Sequence, residues 1–303
     1  MSEFLQQLIN GLALGAIYGL IALGYTMVYG VLRFINFAHG DVFMLGAFAG
    51  FYLSPLINRI LPAQSYLGGL IVLVLAMVVC AIIGILIERL AYRPLRSRPK
   101  LTVLITAIGV SLFIEYTCQH RAVFGAAPQR FPDLIPATTW HVGGVAIGTN
   151  QIIVLVTTIL LLLGLTFIVQ RTRIGMAMRA VSFNEQAAAL MGVNINSVIS
   201  FTFGLGSALA AAAGILFAMN YASIEPLMGV QTGLKAFVAA VFGGIGNLPG
   251  AALGGLILGI VETFAGGVPG LSNYRDGIAF AILILILLFR PAGLLGKATT
   301  EKV

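Results

Sequence analysis

Residues 171–196 read RTRIGMAMRAVSFNEQAAALMGVNIN, the longest strongly polar run on the side assigned below to the cytoplasm, in a chain of 303 residues almost all of whose remainder is apolar enough for lipid. Within it, Ser182-Phe183-Asn184-Glu185 has the spacing of a capping box. The Ser182 hydroxyl would accept from the Glu185 N–H, and the Glu185 carboxylate would reach back to the Ser182 N–H. Gly192 follows where a helix needs a left-handed stop. The spacing therefore predicts a short helix over 183–191, capped at both ends, with Ala187, Ala188, Leu190 and Met191 giving it a small, apolar side. Such a helix outside the lipid suits a docking site for another protein. The same residues would also serve as a plain connector between two spans.

What surrounds this stretch settles the class. The chain is 59% hydrophobic and 9% charged, with a mean hydropathy of +1.02. Soluble domains carry about 25% charged residues, and a soluble fold could not hide this much apolar surface. The predicted fold is an all-α polytopic transmembrane bundle, one domain over 1–303. Thirty-seven glycines suit membrane helices that approach closely. The net charge of +7 comes from short basic loops, the positive-inside pattern, and does not call for nucleic acid. Cys80 and Cys118 form no disulfide framework and read as inert thiols. The first apolar run lacks a basic leader and is too long for a cleavable signal peptide.

Apolar runs long enough to span, about 20 residues, occupy 4–32, 66–87, 101–118, 151–169, 195–220 and 251–268. The runs 35–54, 232–245 and 275–289 are shorter or interrupted, so eight or nine spans are expected. Basic loops at 89–100 and 171–179, with Arg290, Lys297 and Lys302 in the tail, place those segments and the C-terminus in the cytoplasm. Residues 119–150, rich in Pro and Gly, become an external loop with room for a small hairpin. Residues 171–196 become a cytoplasmic loop, and the N-terminus falls outside. Asn247-Leu-Pro-Gly250 is the cytoplasm-facing turn after the 232–245 run. Gly15, Gly19 and Gly24 share their spacing with Gly250, Gly254 and Gly259, an echo that helix packing or an inverted repeat would produce.

Ionisable groups at membrane depth are costly and ask for a reason. Asn36, His39 and Asp41 open the second run. His39 and Asp41, two apart, point to different helix faces, and Gly40 suggests a break in the helix. An interfacial cap of the second helix is the alternative. Glu115 lies late in its span, Lys235 opens a short run and can snorkel outward, and Glu262 sits mid-span as the best candidate for an intramembrane functional carboxylate. Asn36, His39, Asp41 and Glu262 are the translocation-pathway candidates. The stretch 242–250, with Gly243, Gly244, Gly246, Pro249 and Gly250, lacks the Lys and hydroxyl of a phosphate loop and reads as a structural turn. Gly293-Leu-Leu-Gly-Lys297 has the wrong spacing. No HExxH, GxSxG or paired-cysteine pattern occurs, and three scattered histidines make no metal site. No catalytic residue and no cofactor are expected.

Four motifs then coincide: Tyr25-Thr-Met-Val-Tyr-Gly30, Ile35-Asn-Phe-Ala-His-Gly-Asp41, Glu88-Arg-Leu-Ala-Tyr-Arg-Pro-Leu-Arg96 and Ala240-Val-Phe-Gly-Gly-Ile-Gly-Asn-Leu-Pro-Gly250. In this order and spacing the chain resembles the LivH-type permeases of bacterial branched-chain amino acid ABC transporters from about Phe4 to Gly296. The resemblance implies a multi-pass subunit of the bacterial inner membrane that binds no ATP itself. It implies a second, LivM-type permease, two cytoplasmic ATPase subunits and an extracytoplasmic binding protein that delivers Leu, Ile or Val. It also implies that a short cytoplasmic helix contacts the ATPase through an E-A-A-x-x-x-G pattern. Here Gln186-Ala-Ala-Ala-Leu-Met-Gly192 matches with Gln for Glu, and Glu185 stands one position early. Importers of urea or short-chain amides use similar permeases, and an ion-driven secondary transporter or channel working through Glu262 and Asp41 is the reading from a different class.

Overall fold

Helices dominate the chain because its apolar runs, once in lipid, must satisfy every backbone donor and acceptor internally. In chain order they are α1 (Ser2–Leu32), α2 (His39–Ile57), α3 (Tyr66–Ile87), α4 (Lys100–Gln119), α5 (Thr149–Arg171), α6 (Arg173–Phe183), α7 (Glu185–Leu190), α8 (Ile195–Tyr221), α9 (Met228–Gly243), α10 (Leu248–Gly267) and α11 (Arg275–Phe289). The computed structural model describes residues 2–268, 270, 272–290 and 292–296, so Lys297 and Lys302 of the basic tail lie outside the described residues. Among those described, eight helices are long and apolar enough to cross a membrane. The ninth, α9, has 16 residues and begins four residues before the run expected at Thr232. At 1.5 Å per residue it is about 24 Å long, short of a hydrocarbon core of about 30 Å.

Past Ile87, α3 loosens into a π-helical turn, Glu88–Tyr92, and then a 3-10 turn, Arg93–Leu95. Pro94 has no N–H to continue the α-helical ladder. Two short antiparallel ladders complete the fold. β1 (Gln129–Arg130) pairs with β4 (Ser223–Ile224), and β2 (Thr139–Val142) pairs with β3 (Val145–Gly148) in a hairpin turning on Gly143 and Gly144, both at positive φ.

The two ends of the bundle are tied differently. At one end, the Gln6 side chain donates to the Ala146 carbonyl (3.0 Å) and accepts from the Ala146 N–H (2.8 Å), while Gln151 donates to Asn10 (2.7 Å). The start of α1 and the 119–150 segment therefore share an end. At the other, Arg33 donates to the Ser182 carbonyl and the Ser182 hydroxyl donates to the Gly30 carbonyl. The end of α1 thus meets the polar stretch 171–196.

α1 and α8 form the buried centre; α3, α4, α5 and α11 surround them with outward apolar side chains such as Leu160, Leu163 and Phe167 of α5. Glycine decides the tightest contact. A Cβ on Gly255 or Gly259 of α10 would run into the backbone of Gly19 or Gly15 of α1, and one on Gly11 would stand 2.8 Å from the Ile260 Cα. Gly24, by contrast, faces the His39 ring, and Gly250 and Gly254 face α9. Close helix packing thus accounts for the repeated glycine spacing.

Gly255→Ala should force α1 and α10 apart and destabilise the solubilised protein by about 1–3 kcal/mol, the usual cost of overpacking. Gly109→Ala, where nothing stands within 4 Å of the new methyl group, should leave thermal unfolding unchanged.

Candidate functional site

The polar stretch forms two helices with a sharp step between them. α6 starts at Thr172, whose hydroxyl accepts from the Gly175 N–H at 3.1 Å. It runs through Ser182 and ends at Phe183. Asn184 is extended (φ −154°, ψ 109°) and caps α7 by accepting from the Ala187 N–H at 2.9 Å. The expected capping box is therefore corrected. Ser182 lies inside α6 with its hydroxyl on Gly30, so it cannot receive the Glu185 N–H; Asn184 does the capping, and the helix is 185–190 rather than 183–191. The asparagine side chain caps because Asn184 stands at the step itself, two residues beyond Ser182, whose hydroxyl is committed to Gly30.

The other end of α7 forms as the spacing predicts. Gly192 takes φ +82°. Its N–H donates to the Ala189 carbonyl (2.9 Å) and the Val193 N–H to the Ala188 carbonyl (3.0 Å), the paired bonds of a Schellman motif. Ala188 is buried, while Glu185, Gln186 and Ala187 are exposed. Phe183, Leu190 and Met191 stand 88%, 89% and 84% exposed on this protrusion. A Cβ at Gly192 would meet nothing within 4 Å. Three large exposed apolar side chains gather around a short helix capped at both ends, and apolar patches of this kind mark interaction surfaces.

The break in the second run lies at 33–38, not at Gly40. Arg33 adopts φ +54°, the following residues are irregular, and α2 starts at His39. Gly40 is helical and lies where α2 crosses α9: its Cβ would stand 2.5 Å from the Gly229 carbonyl oxygen. The notion of a break at Gly40 mistook a packing glycine for a conformational one. The polar candidates around it are all buried. Asn36 accepts from the Tyr92 hydroxyl (2.6 Å). The His39 ring meets the Tyr25 ring edge-on at 4.6 Å. Asp41 receives the Ser111 hydroxyl at 2.5 Å, and Glu115 lies 3.2 Å from that same oxygen. His39 and Asp41 do face different neighbours, as their spacing requires.

Glu262 is the deepest charged group of α10, and its carboxylate is fully engaged. One oxygen accepts from the Tyr18 hydroxyl and the other from the Lys235 ammonium, each at 2.8 Å. Lys235 also lies 2.7 Å from Asp276, and Arg275 stands 3.7 Å from Asp276 and 3.9 Å from Glu262. Lys235 is therefore buried and paired rather than snorkelling. The sequence holds one cation and one anion in adjacent apolar runs, and the packing of α9 on α10 is what brings them together. Glu88 was also missed as a site. It is buried at the end of α3, accepts from Ser200 of α8 (2.6 Å) and is paired with Arg96, which also reaches Asn196 (3.1 Å).

The turn after α9 is built from the expected residues. Gly244 and Gly246 have positive φ, and Gly243 and Gly250 lie so close that neither has room for a Cβ. Asn247 caps α10 by accepting from the Gly250 N–H (3.2 Å), with Pro249 in the first turn. The segment 292–296 closes over it through Leu294 N–H to Phe242 (2.8 Å) and Leu295 N–H to Gly243 (3.0 Å).

Comparison with known proteins points one way. The family described as "Branched-chain amino acid transport system / permease component" matches residues 7–287. The chain is 43% identical over 305 residues to the high-affinity branched-chain amino acid transport system permease protein BraD of Pseudomonas aeruginosa, covering 99% of this chain and 98% of the relative. It is 42% identical over 312 residues to the permease protein LivH of Escherichia coli, with the same coverage. A probable LivH of Methanocaldococcus jannaschii is 30% identical over 293 residues, 91% of this chain and 88% of the relative.

Because Glu262 and Lys235 are buried together, Lys235→Met alone should strand a carboxylate and cost about 3–5 kcal/mol. The double variant Lys235→Met/Glu262→Gln should recover most of that loss. Thermal unfolding of the purified single and double variants measures both.

Proposed function

We propose that this chain, which belongs to the family of branched-chain amino acid transport system permease components, forms the membrane half of an ATP-driven importer that carries branched-chain amino acids into the cell. It is a transport subunit and not itself catalytic. The supporting observation is similarity to such permeases along nearly the whole chain, joined to a rigid apolar knob on a polar loop. Its partners in this reading are a second, related permease, two cytoplasmic ATPases and an extracytoplasmic binding protein. The membrane is the bacterial inner membrane, with 171–196 and the C-terminus on the cytoplasmic side.

α7 is the element the ATPase would grip, in this reading. Ser182 anchors the loop to the end of α1, Asn184 and Gly192 hold α7 rigid, and Glu185, Gln186, Ala187 and Ala188 build its body. Movement of the ATPases would pass through Phe183, Leu190 and Met191 into α6, and from there through Arg33 and Ser182 into α1. A ligand or partner shifts a conformational equilibrium only through contacts that differ between the two states, and the α6–α1 contact is one that a tilt of α6 would break. Asn36, His39, Asp41 and Glu262 act in this reading as the buried polar framework beside the pathway. Gly243, Gly244, Gly246, Pro249 and Gly250 keep the α9–α10 turn closed.

Two measurements test the reading. Cysteines replacing Arg98 and Leu190 should react only with reagent that enters the cytoplasm, and one replacing Asp133 should react from outside; labelling of position 190 from outside intact cells would sink both the orientation and the ATPase contact. Gly192→Val places a β-branched residue at a left-handed position at a cost of about 1 kcal/mol or more. It should leave insertion intact and lower either ATPase co-purification or stimulated ATP turnover. Parent-like values in both would reduce α7 to a connector.

A further inference from the structure

The break between α1 and α2 carries an unpaid structural cost. The N–H groups of Phe34, Ile35, Asn36, Phe37 and Ala38 find no acceptor among the described residues. Hydrocarbon supplies no acceptor either, and irregular backbone at membrane depth persists only where protein or water covers it. The break does lie within the thickness of the bundle. The Phe37 ring is 6.2 Å from the ring of Phe237, well inside α9, and Gly40 just beyond it lies against Gly229 and Gly233.

Beside the break, α9 presents a partly exposed apolar stripe. Val230, Leu234 and Phe237, at i, i+4 and i+7, share one helix face; Val230 and Leu234 are 46% and 47% exposed, and Phe237 and Phe37 are half-buried. Gln231, next to them, is exposed. A lipid-facing helix such as α5 puts Leu160, Leu163 and Phe167 outward, but a primary amide among them would go unsatisfied in hydrocarbon. Five backbone donors without an acceptor among the described residues, and an exposed amide on the neighbouring helix, thus point to water rather than lipid. Asn36, His39, Asp41 and Glu262 are each buried against neighbours within the chain, so the side chains that can meet a passing molecule here are different ones.

We infer that the face formed by residues 34–38 and the Val230–Leu234–Phe237 stripe of α9 lines the translocation pathway, with Phe37 and Phe237 as its apolar constriction. The inference rests on the permease reading above. The cargo it fits is a zwitterion with a branched apolar side chain. The aromatic pair offers contact to the side chain, and the free N–H groups of the break are donors for the carboxylate. Gly40 matters here because only a glycine lets α2 start directly against α9 and so holds the break beside the stripe.

The test uses the assembled importer in sealed proteoliposomes, with Cys80→Ala and Cys118→Ala as background and parent uptake of leucine measured first. Absence of parent uptake would overturn the permease reading itself. With uptake present, the peptide covering residues 34–38 should exchange its amide hydrogens rapidly. Leu234→Cys should react with a charged, water-soluble thiol reagent at least about tenfold faster than Leu163→Cys, because the thiolate reacts and forms only where water reaches. Leucine present at saturation should slow that labelling. Protected amides at 34–38, or a Leu234→Cys as unreactive as Leu163→Cys, would overturn the inference and leave this face to a partner chain or to lipid.

Discussion

Close approach of backbones at glycine is the constraint on which this bundle rests. In lipid, burying an apolar side chain gains little, because the tails outside are as apolar as the protein inside. What remains is dispersion between well-fitted surfaces and hydrogen bonds across helices. α1 and α10 meet where Gly11, Gly15 and Gly19 oppose Gly255 and Gly259. The same device recurs where Gly40 meets Gly229 and Gly233, where Gly214 meets Phe43, and where Gly243 meets Gly250. Each brings two helices together at a contact no larger residue would permit, and the polar groups are positioned from these contacts.

Polar chemistry follows from that geometry. Tyr18 stands on α1 beside the glycines that admit α10, so its hydroxyl reaches Glu262. Lys235 reaches the same carboxylate from α9, which α10 meets through Gly254 and Ala239. The charges are therefore balanced inside the protein, as burial demands. Glu88, Arg96 and Ser200 repeat the arrangement where α3 meets α8. The break at 33–38 differs: the Asn36 side-chain oxygen accepts from Tyr92, but the N–H groups of residues 34–38 find no acceptor among the described residues.

Much of this was legible in the sequence. The expectation of eight or nine spans, the small hairpin within 119–150 and the left-handed Gly192 follow from hydropathy, turn residues and helix-stop chemistry, all local properties. Two adjacent signals misled. Ser182 and Glu185 have capping-box spacing, but Asn184 also caps, and the tie from Ser182 to Gly30, 152 residues away, decided between them. Gly40 carries the mark of a flexible point, yet its role is to let α9 approach, a fact about a neighbour that no window around residue 40 contains.

The sequence by itself determined that this chain lives in a bilayer, which of its runs are long apolar helices, which loops are basic and where the capped helix of the polar loop ends. These depend on composition and on spacings within a turn or two. Tertiary structure alone decided the pairings: Lys235 with Glu262 across 27 residues, Asn36 with Tyr92 across 56, Glu88 with Ser200 across 112. It also decided which backbone donors go without an acceptor among the described residues, those of 34–38, and that Gln231 is exposed. Helices in lipid have no strong hydrophobic preference for one neighbour, so partner choice is set by glycine notches and hydrogen bonds that exist only once the helices are side by side.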